Sequence, residues 1–167
     1  MLPASFDPSG LTELPFDLPG RIYRSPMPFG PFDMDGSLFQ SYQAAGITGV
    51  VVLAEAQECI EKTGRDLLAF YRSQGLEVIH CPILDYCVPE WETLKAALNA
   101  LIERARAGKP TAVHCSAGIG RTGVFMACLA HLLLGMDGNT AIAWVRRVIP
   151  GAVETVYQEE FIREIAG

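Results

Sequence analysis

Thirteen residues, Thr111 to Gly123, read T-A-V-H-C-S-A-G-I-G-R-T-G and set a thiol and a guanidinium six positions apart. Thr111 to Val113 is short, apolar and β-prone, as a buried strand is. After Cys115 come five mostly small residues, then Arg121 and a long apolar helical run. A strand that feeds a small-residue loop into a helix N-terminus builds an anion cradle. Its backbone N–H groups converge, and the helix dipole adds partial positive charge. Gly118 and Gly120 let the loop curl. Arg121 offers a planar fork of donors that matches two phosphate oxygens. A thiol at the floor of such an electropositive loop ionises more readily, and the thiolate is the nucleophile. A lone cysteine after a strand is commonly a core residue. The joint Cys-x5-Arg pattern, flanked by His114 and Thr122, carries the chemical reading.

A thiolate that displaces a phosphate ester leaves a phosphocysteine for water to hydrolyse, and the departing oxygen needs a proton. The general acid is therefore sought on a loop facing the cradle. Asp85 follows a strand-like run, lies thirty residues before Cys115 and stands in I-L-D-Y-C-V-P, with prolines on both sides. In the second step the same carboxylate would take a proton from water. Glu90 and Glu92 are the fallbacks. Thr122 can give its hydroxyl to the sulfur and help it leave the phosphocysteine. Ser116, Ala117, Gly118, Ile119 and Gly120 would offer main-chain N–H groups to the phosphate, alongside Arg121.

The segment V-H-C-S-A-G-I-G-R-T-G resembles the signature loop of the cysteine-dependent protein tyrosine phosphatase superfamily, and the likeness runs from about Arg21 to the C-terminus. The resemblance implies that His114 orders the loop and helps keep the thiol ionised. It also implies a general acid in an Ile-x-Asp-x-x-x-Pro setting, which Asp85 matches. Residues 150–161, P-G-A-V-E-T-V-Y-Q-E-E-F, are similar to a Q-T-x-x-Q stretch whose glutamines position water in the large tyrosine-specific enzymes. Gln158 is the candidate for that role, and Glu154 departs from the pattern. No K-N-R-Y-like segment is evident, so the chain resembles the compact dual-specificity branch, which includes cyclin-dependent-kinase-associated and prokaryotic relatives. The loop lacks the lysines of phosphoinositide phosphatases, which favours a phosphoprotein substrate. A phosphoinositide phosphatase and a non-catalytic phosphate reader are the alternatives.

The elements that must position these residues follow from periodicity. Residues 1–32 hold seven of the eleven prolines and read as an extended wrapping segment, with a short edge strand at Arg21–Arg24. Asp33 to Ala45 reads as a helix, Ile47 to Leu53 as a buried parallel strand, Lys62 to Gln74 as a helix and Leu76 to Cys81 as a strand. Leu94, Ala97, Leu98, Leu101, Ile102 and Ala105 share one helix face. A buried helix runs from about Arg121 to Leu134. Asn139 caps the next helix, and a last one begins near Thr155 with Tyr157, Phe161 and Ile165 four apart. Alternating strands and helices predict one α/β domain over residues 1–167: a central, mostly parallel sheet flanked by helices, with the signature loop between a strand and a buried helix.

The 167 residues suffice for a sizeable core, and the net charge of −6 argues against a nucleic-acid binder or a polybasic membrane anchor. The first residues lack the features of a signal peptide, and Val124 to Leu134 is too short to span a bilayer. A cytoplasmic, monomeric enzyme without metal or cofactor is expected. Five cysteines, an odd number without metal-ligand spacing, fit reduced thiols. Cys81 or Cys87 could trap an oxidised Cys115 as a disulfide.

Overall fold

A computed structural model describes residues 6–167. Five strands form one sheet in the order β1-β2-β5-β3-β4: β1 Thr12–Leu14, β2 Ile22–Ser25, β3 Gly49–Val52, β4 Glu77–His80 and β5 Thr111–His114. Only the β1–β2 pairing is antiparallel. The β-branched run Val50-Val51-Val52 belongs to β3, whose side chains leave the sheet alternately: Val51 enters one core, Val50 and Val52 the other. A strand covered on both faces has no polar face to show, so its sequence reads as a continuous apolar run.

On the first face lie α4 (Trp91–Arg106), α5 (Gly120–Leu134), α6 (Gly138–Val148) and α7 (Val156–Ile165). All six residues of the α4 stripe, Leu94 to Ala105, are buried. The other face carries α1 (Leu38–Ala44), α2 (Ala56–Thr63) and α3 (Leu67–Ser73). Helix α5 is buried over its first eleven residues, Gly120 to Ala130, and ends at Gly135 with φ 68°. Its N-terminus abuts the C-terminal end of β5, the central strand, so the Cys115 loop opens where parallel α/β sheets hold ligands.

Four expectations need correction. Residues 62–74 do not form one helix: Gly64, at φ 72°, ends α2, and Asp66 caps α3 by accepting from the Ala69 N–H. Strand β2 is not at an edge, because β1 covers it and itself forms the rim. The α6 cap is Asp137, which accepts from the Thr140 N–H, and Asn139 is already helical. On α7 Phe161 and Ile165 pack against the core beside the buried Gln158 and Ile162, but Tyr157, spaced with them, faces solvent. Among the described residues, no single helix is long and apolar enough to cross a bilayer.

Candidate active site

Strand β5 ends at His114, and residues 115–119 loop back over the strand ends before α5 begins. Gly118 adopts φ 74°, and a Cβ there would lie 2.1 Å from the Ser25 carbonyl oxygen, so both conformation and space require glycine. Cys115 is nearly buried at the base of a cavity of about 340 Å³, lined also by Pro31, Lys62, Asp85, Arg121 and Glu154. The Thr122 hydroxyl donates to Cys115 Sγ at 3.2 Å. A donor on the sulfur stabilises a thiolate, whether attacking or leaving.

Arg121 is buried beneath the loop and fixed on one side. Its Nη1 donates to Glu58 Oε1 at 2.9 Å and to the Ile83 carbonyl at 2.8 Å, and its Nη2 donates to Glu58 Oε2 at 2.8 Å. Burial disfavours its charge, but the Glu58 bonds and the Cys115 and Asp85 charges outweigh this and raise its pKa. Its Nε–H is buried without a partner among the described residues, so one donor of the fork remains for a phosphate oxygen. Glu58 was not anticipated from sequence. Burial would raise its pKa, yet bonds from Arg121 and Lys62 hold it below the usual value. The signal was present as the Glu58/Lys62 pair, four apart, although the expected helix begins at Lys62 and α2 at Ala56.

Asp85 stands across the cavity, half-exposed, with Oδ1 accepting from the Tyr86 N–H at 3.0 Å and 3.4 Å from Arg121 Nη2. The long, solvated contact to Arg121 is weak and can yield to a phosphate. Tyr86 is held at φ 63°, a costly conformation for a tyrosine, next to the proposed acid. Glu90 is the residue before α4, and Glu92 lies in the first turn of that helix. Neither lines the cavity.

His114 is fully buried, and desolvation lowers its pKa to about 4. Its Nδ1 lies 2.9 Å from the Cys115 carbonyl, which can only accept, so Nδ1 carries the proton and Nε2 accepts from the Tyr71 hydroxyl at 2.8 Å. A neutral ring orders the loop without adding charge. The positive charge acting on Cys115 comes instead from Arg121 and Arg24, both of which couple to it.

Gln158 does not line the cavity. Its Oε1 accepts from the N–H groups of Glu154 (2.8 Å) and Thr155 (3.2 Å), and its Nε2 donates to the Cys87 carbonyl at 3.3 Å. With Thr155 it forms a capping box at the start of α7. The amide thus ties that helix to the Asp85 loop, with Oε1 accepting twice and one N–H of Nε2 given to Cys87. Glu154 is the residue of that stretch which reaches the cavity, its carboxylate packed on Gly120. All five cysteines are unpaired. Burial raises the Cys81 thiol to about 11, and Cys87 is exposed on the loop after Asp85. The described residues contain no cluster of three or more metal-ligating side chains.

A five-stranded, mostly parallel sheet whose central strand opens into a Cys-x5-Arg cradle defines the dual-specificity class of the tyrosine phosphatase superfamily. Residues 37–162 match the family described as "PTP-SAK: Swiss Army Knife protein, DSP-PTPase phosphatase domain", and the chain belongs to it. It is similar to the cyclin-dependent kinase inhibitor 3 of Rattus norvegicus, 28% identical over 131 residues, 75% of this chain and 60% of that protein. It is also similar to the phosphatidylglycerophosphate phosphatase PTPMT1 of Arabidopsis thaliana, 29% identical over 106 residues, 63% of this chain and 30% of that protein. Among solved structures, the active form of Tk-PTP superposes with a TM-score of 0.77 at 32% identity, covering 93% of this chain and 96% of that one. The chain spans between 10% and 60% of the length of curated relatives it matches.

Proposed function

We propose that the protein is a phosphoprotein phosphatase, acting on phosphotyrosine and also on phosphoserine and phosphothreonine through a phosphocysteine. The observation that carries this reading is the Thr122 hydroxyl on the Cys115 sulfur, inside a loop whose arginine keeps one buried donor free. Cys115 attacks the phosphorus as the loop N–H groups of residues 116–120 and Arg121 hold the equatorial oxygens, where donors act on developing charge. The ester bond breaks, and Asp85 gives the leaving oxygen its proton. Water then attacks the phosphocysteine with Asp85 as base, and the sulfur departs against Thr122. Asp85 reaches the attacking water directly in this scheme, because Gln158 is engaged elsewhere.

The cavity wall favours a phosphoprotein over a polyphosphorylated small molecule: Asp85 and Glu154 face the same space as Lys62 and Arg121, so excess positive charge is small. Lys62 favours a second reading. Its Nζ donates to Ser116 Oγ at 2.8 Å and places a cation beside a loop whose own interior, Ser116 to Gly120, is uncharged. The relatives divide likewise, one named for a kinase inhibitor and one for a lipid phosphate phosphatase. Phosphate release from phosphopeptides and phosphoinositides, side by side, tests the proposal. Higher kcat/KM on phosphopeptides is expected. A preference for the lipids contradicts the substrate class, and wild-type-like turnover by Cys115→Ser contradicts the mechanism. Activity in the cytoplasm, as a monomer, is part of the same proposal, and sedimentation of the purified protein checks the monomer.

A further inference from the structure

Arg24 lies on β2 in register with Val113, so it reaches the start of the loop from the neighbouring strand. It is wholly buried, and among the described residues no carboxylate forms an ion pair with it. Desolvation lowers its pKa to about 10, although the charges of Cys115, Tyr42 and Asp7 oppose that shift. Burying an unpaired guanidinium is costly unless its donors are filled, and here carbonyl oxygens fill them. Nε donates to the Gly118 carbonyl at 3.0 Å and Nη2 to the Ala117 carbonyl at 2.8 Å. Nη1 donates to the carbonyls of Asp7 (3.3 Å) and Gly10 (3.2 Å), and both Nη atoms lie 3.4 Å from the Pro8 carbonyl. The Phe6 ring closes the remaining side, 4.9 Å from the guanidinium carbon.

The carbonyl of Ser116 is held in the same manner by the Met27 N–H at 2.8 Å. Three consecutive loop carbonyls are therefore held by β2 and the residues just after it. In a planar trans peptide the C=O and the following N–H point in opposite directions. Fixing the carbonyls of 116, 117 and 118 outward turns the N–H groups of 117, 118 and 119 inward, where a phosphate oxygen would lie.

We propose that Arg24 is a positioning residue for the phosphate loop and that it makes the loop's shape depend on the Phe6–Gly10 segment. One guanidinium holds both, so displacing the segment exposes Arg24 to water and loosens its grip on the Ala117 and Gly118 carbonyls. This rests on reading the loop as a phosphate cradle. Asp7 supplies a separate handle: its Oδ1 accepts from the Ser9 N–H at 2.9 Å and the Ser9 hydroxyl at 2.7 Å, shaping the turn whose carbonyls meet Arg24.

The test measures orthovanadate affinity, kcat and KM on an aryl phosphate, and the melting temperature, for the full chain and four variants. Arg24→Lys keeps the charge but cannot hold two carbonyls in one plane, so vanadate affinity should fall about tenfold or more, the scale of one charge-assisted hydrogen bond. Arg24→Ala should lose more, and added methylguanidinium should restore affinity to it but not to Arg24→Lys. Asp7→Ala should weaken binding by a smaller factor, and Asp7→Asn should match wild type. Wild-type vanadate affinity in both Arg24 variants overturns the role. So does a loss in Arg24→Ala that tracks the folded fraction and ignores methylguanidinium. Unchanged affinity in Asp7→Ala overturns the coupling to the N-terminal segment. A wild-type protein that binds no vanadate overturns the phosphatase reading and this proposal together, whereas a binding wild type beside unaffected variants overturns only the latter.

Discussion

Thr122 and Glu58 act on the two groups that would touch phosphate, one on the sulfur and one on the guanidinium. Removing the Thr122 hydroxyl takes away the donor that stabilises a departing thiolate. Thr122→Ala should therefore slow hydrolysis of the phosphocysteine more than its formation, which a pre-steady-state burst of phenol release followed by slow turnover would reveal. Equal slowing of both phases would contradict that division. Glu58→Gln leaves Arg121 buried with a neutral partner, so the guanidinium loses both charge balance and fixed orientation. A fall of about tenfold or more in kcat/KM is expected, on the scale of one charge-assisted bond, measured on an aryl phosphate. At this scale the sequence was most informative for groups that sit within one local pattern. Cys115, Arg121 and Thr122 lie inside eight consecutive residues, and the chemistry of the pattern pointed to them directly. Glu58, Lys62 and Arg24 lie far away in the chain, and their polar ends meet the loop only because the sheet order brings β2 and α2 beside it. Gln158 illustrates the converse: a residue matched by likeness to a longer pattern sits in a capping box with Thr155, because a capping box and a water-positioning glutamine share the same sequence spacing.

Among the elements, the loop between β5 and α5 depends on close backbone approach. Gly118 faces the Ser25 carbonyl and the Arg24 side chain with no room for a methyl group, and its φ of 74° adds strain to any other residue. Gly118→Ala should abolish vanadate binding while the melting temperature drops only modestly, since the loop carries little of the core. Retained vanadate affinity would contradict the account of the cradle. The strand-loop-helix order of this region was legible because β5 and α5 are strongly patterned. The break between α2 and α3 was not, because Lys62 to Gln74 keeps a plausible helical composition across Gly64, and an isolated glycine is tolerated in many helices. The position of β2 was misjudged for a similar reason. A four-residue strand rich in prolines on both sides looks like an edge, and only the antiparallel β1 outside it makes it interior.

For the molecule as a whole, the buried ionisable groups set the pH range of stability. His114 has a pKa of about 4 in the fold against 6.5 when free, so between those values the unfolded chain binds a proton that the native protein refuses. Stability should therefore fall as pH drops from 6.5 towards 4, by up to about 1.4 kcal/mol per pH unit. Glu58 acts in the same direction but lower: its pKa is depressed below 4.5, so its contribution is complete above that value and is lost only as pH falls further. Urea midpoints at pH 7, 6 and 5 should decline for the wild type and decline less for His114→Asn. A flat profile in the wild type would contradict a buried neutral imidazole. The three-layer architecture itself was readable, since two-sided burial forces continuous apolar strands and α4 shows a clean stripe. Which side chains converge above the sheet was readable only in part, because convergence depends on topology and not on local periodicity.

The covalent step tests the whole account most directly. Acid quench of the protein milliseconds after mixing with an aryl phosphate, followed by peptide mass mapping, should find a phosphoryl group on Cys115, more of it in Thr122→Ala and none in Cys115→Ser. Steady turnover with no phosphorylated Cys115 in either protein, or phosphate on any other residue, would contradict it.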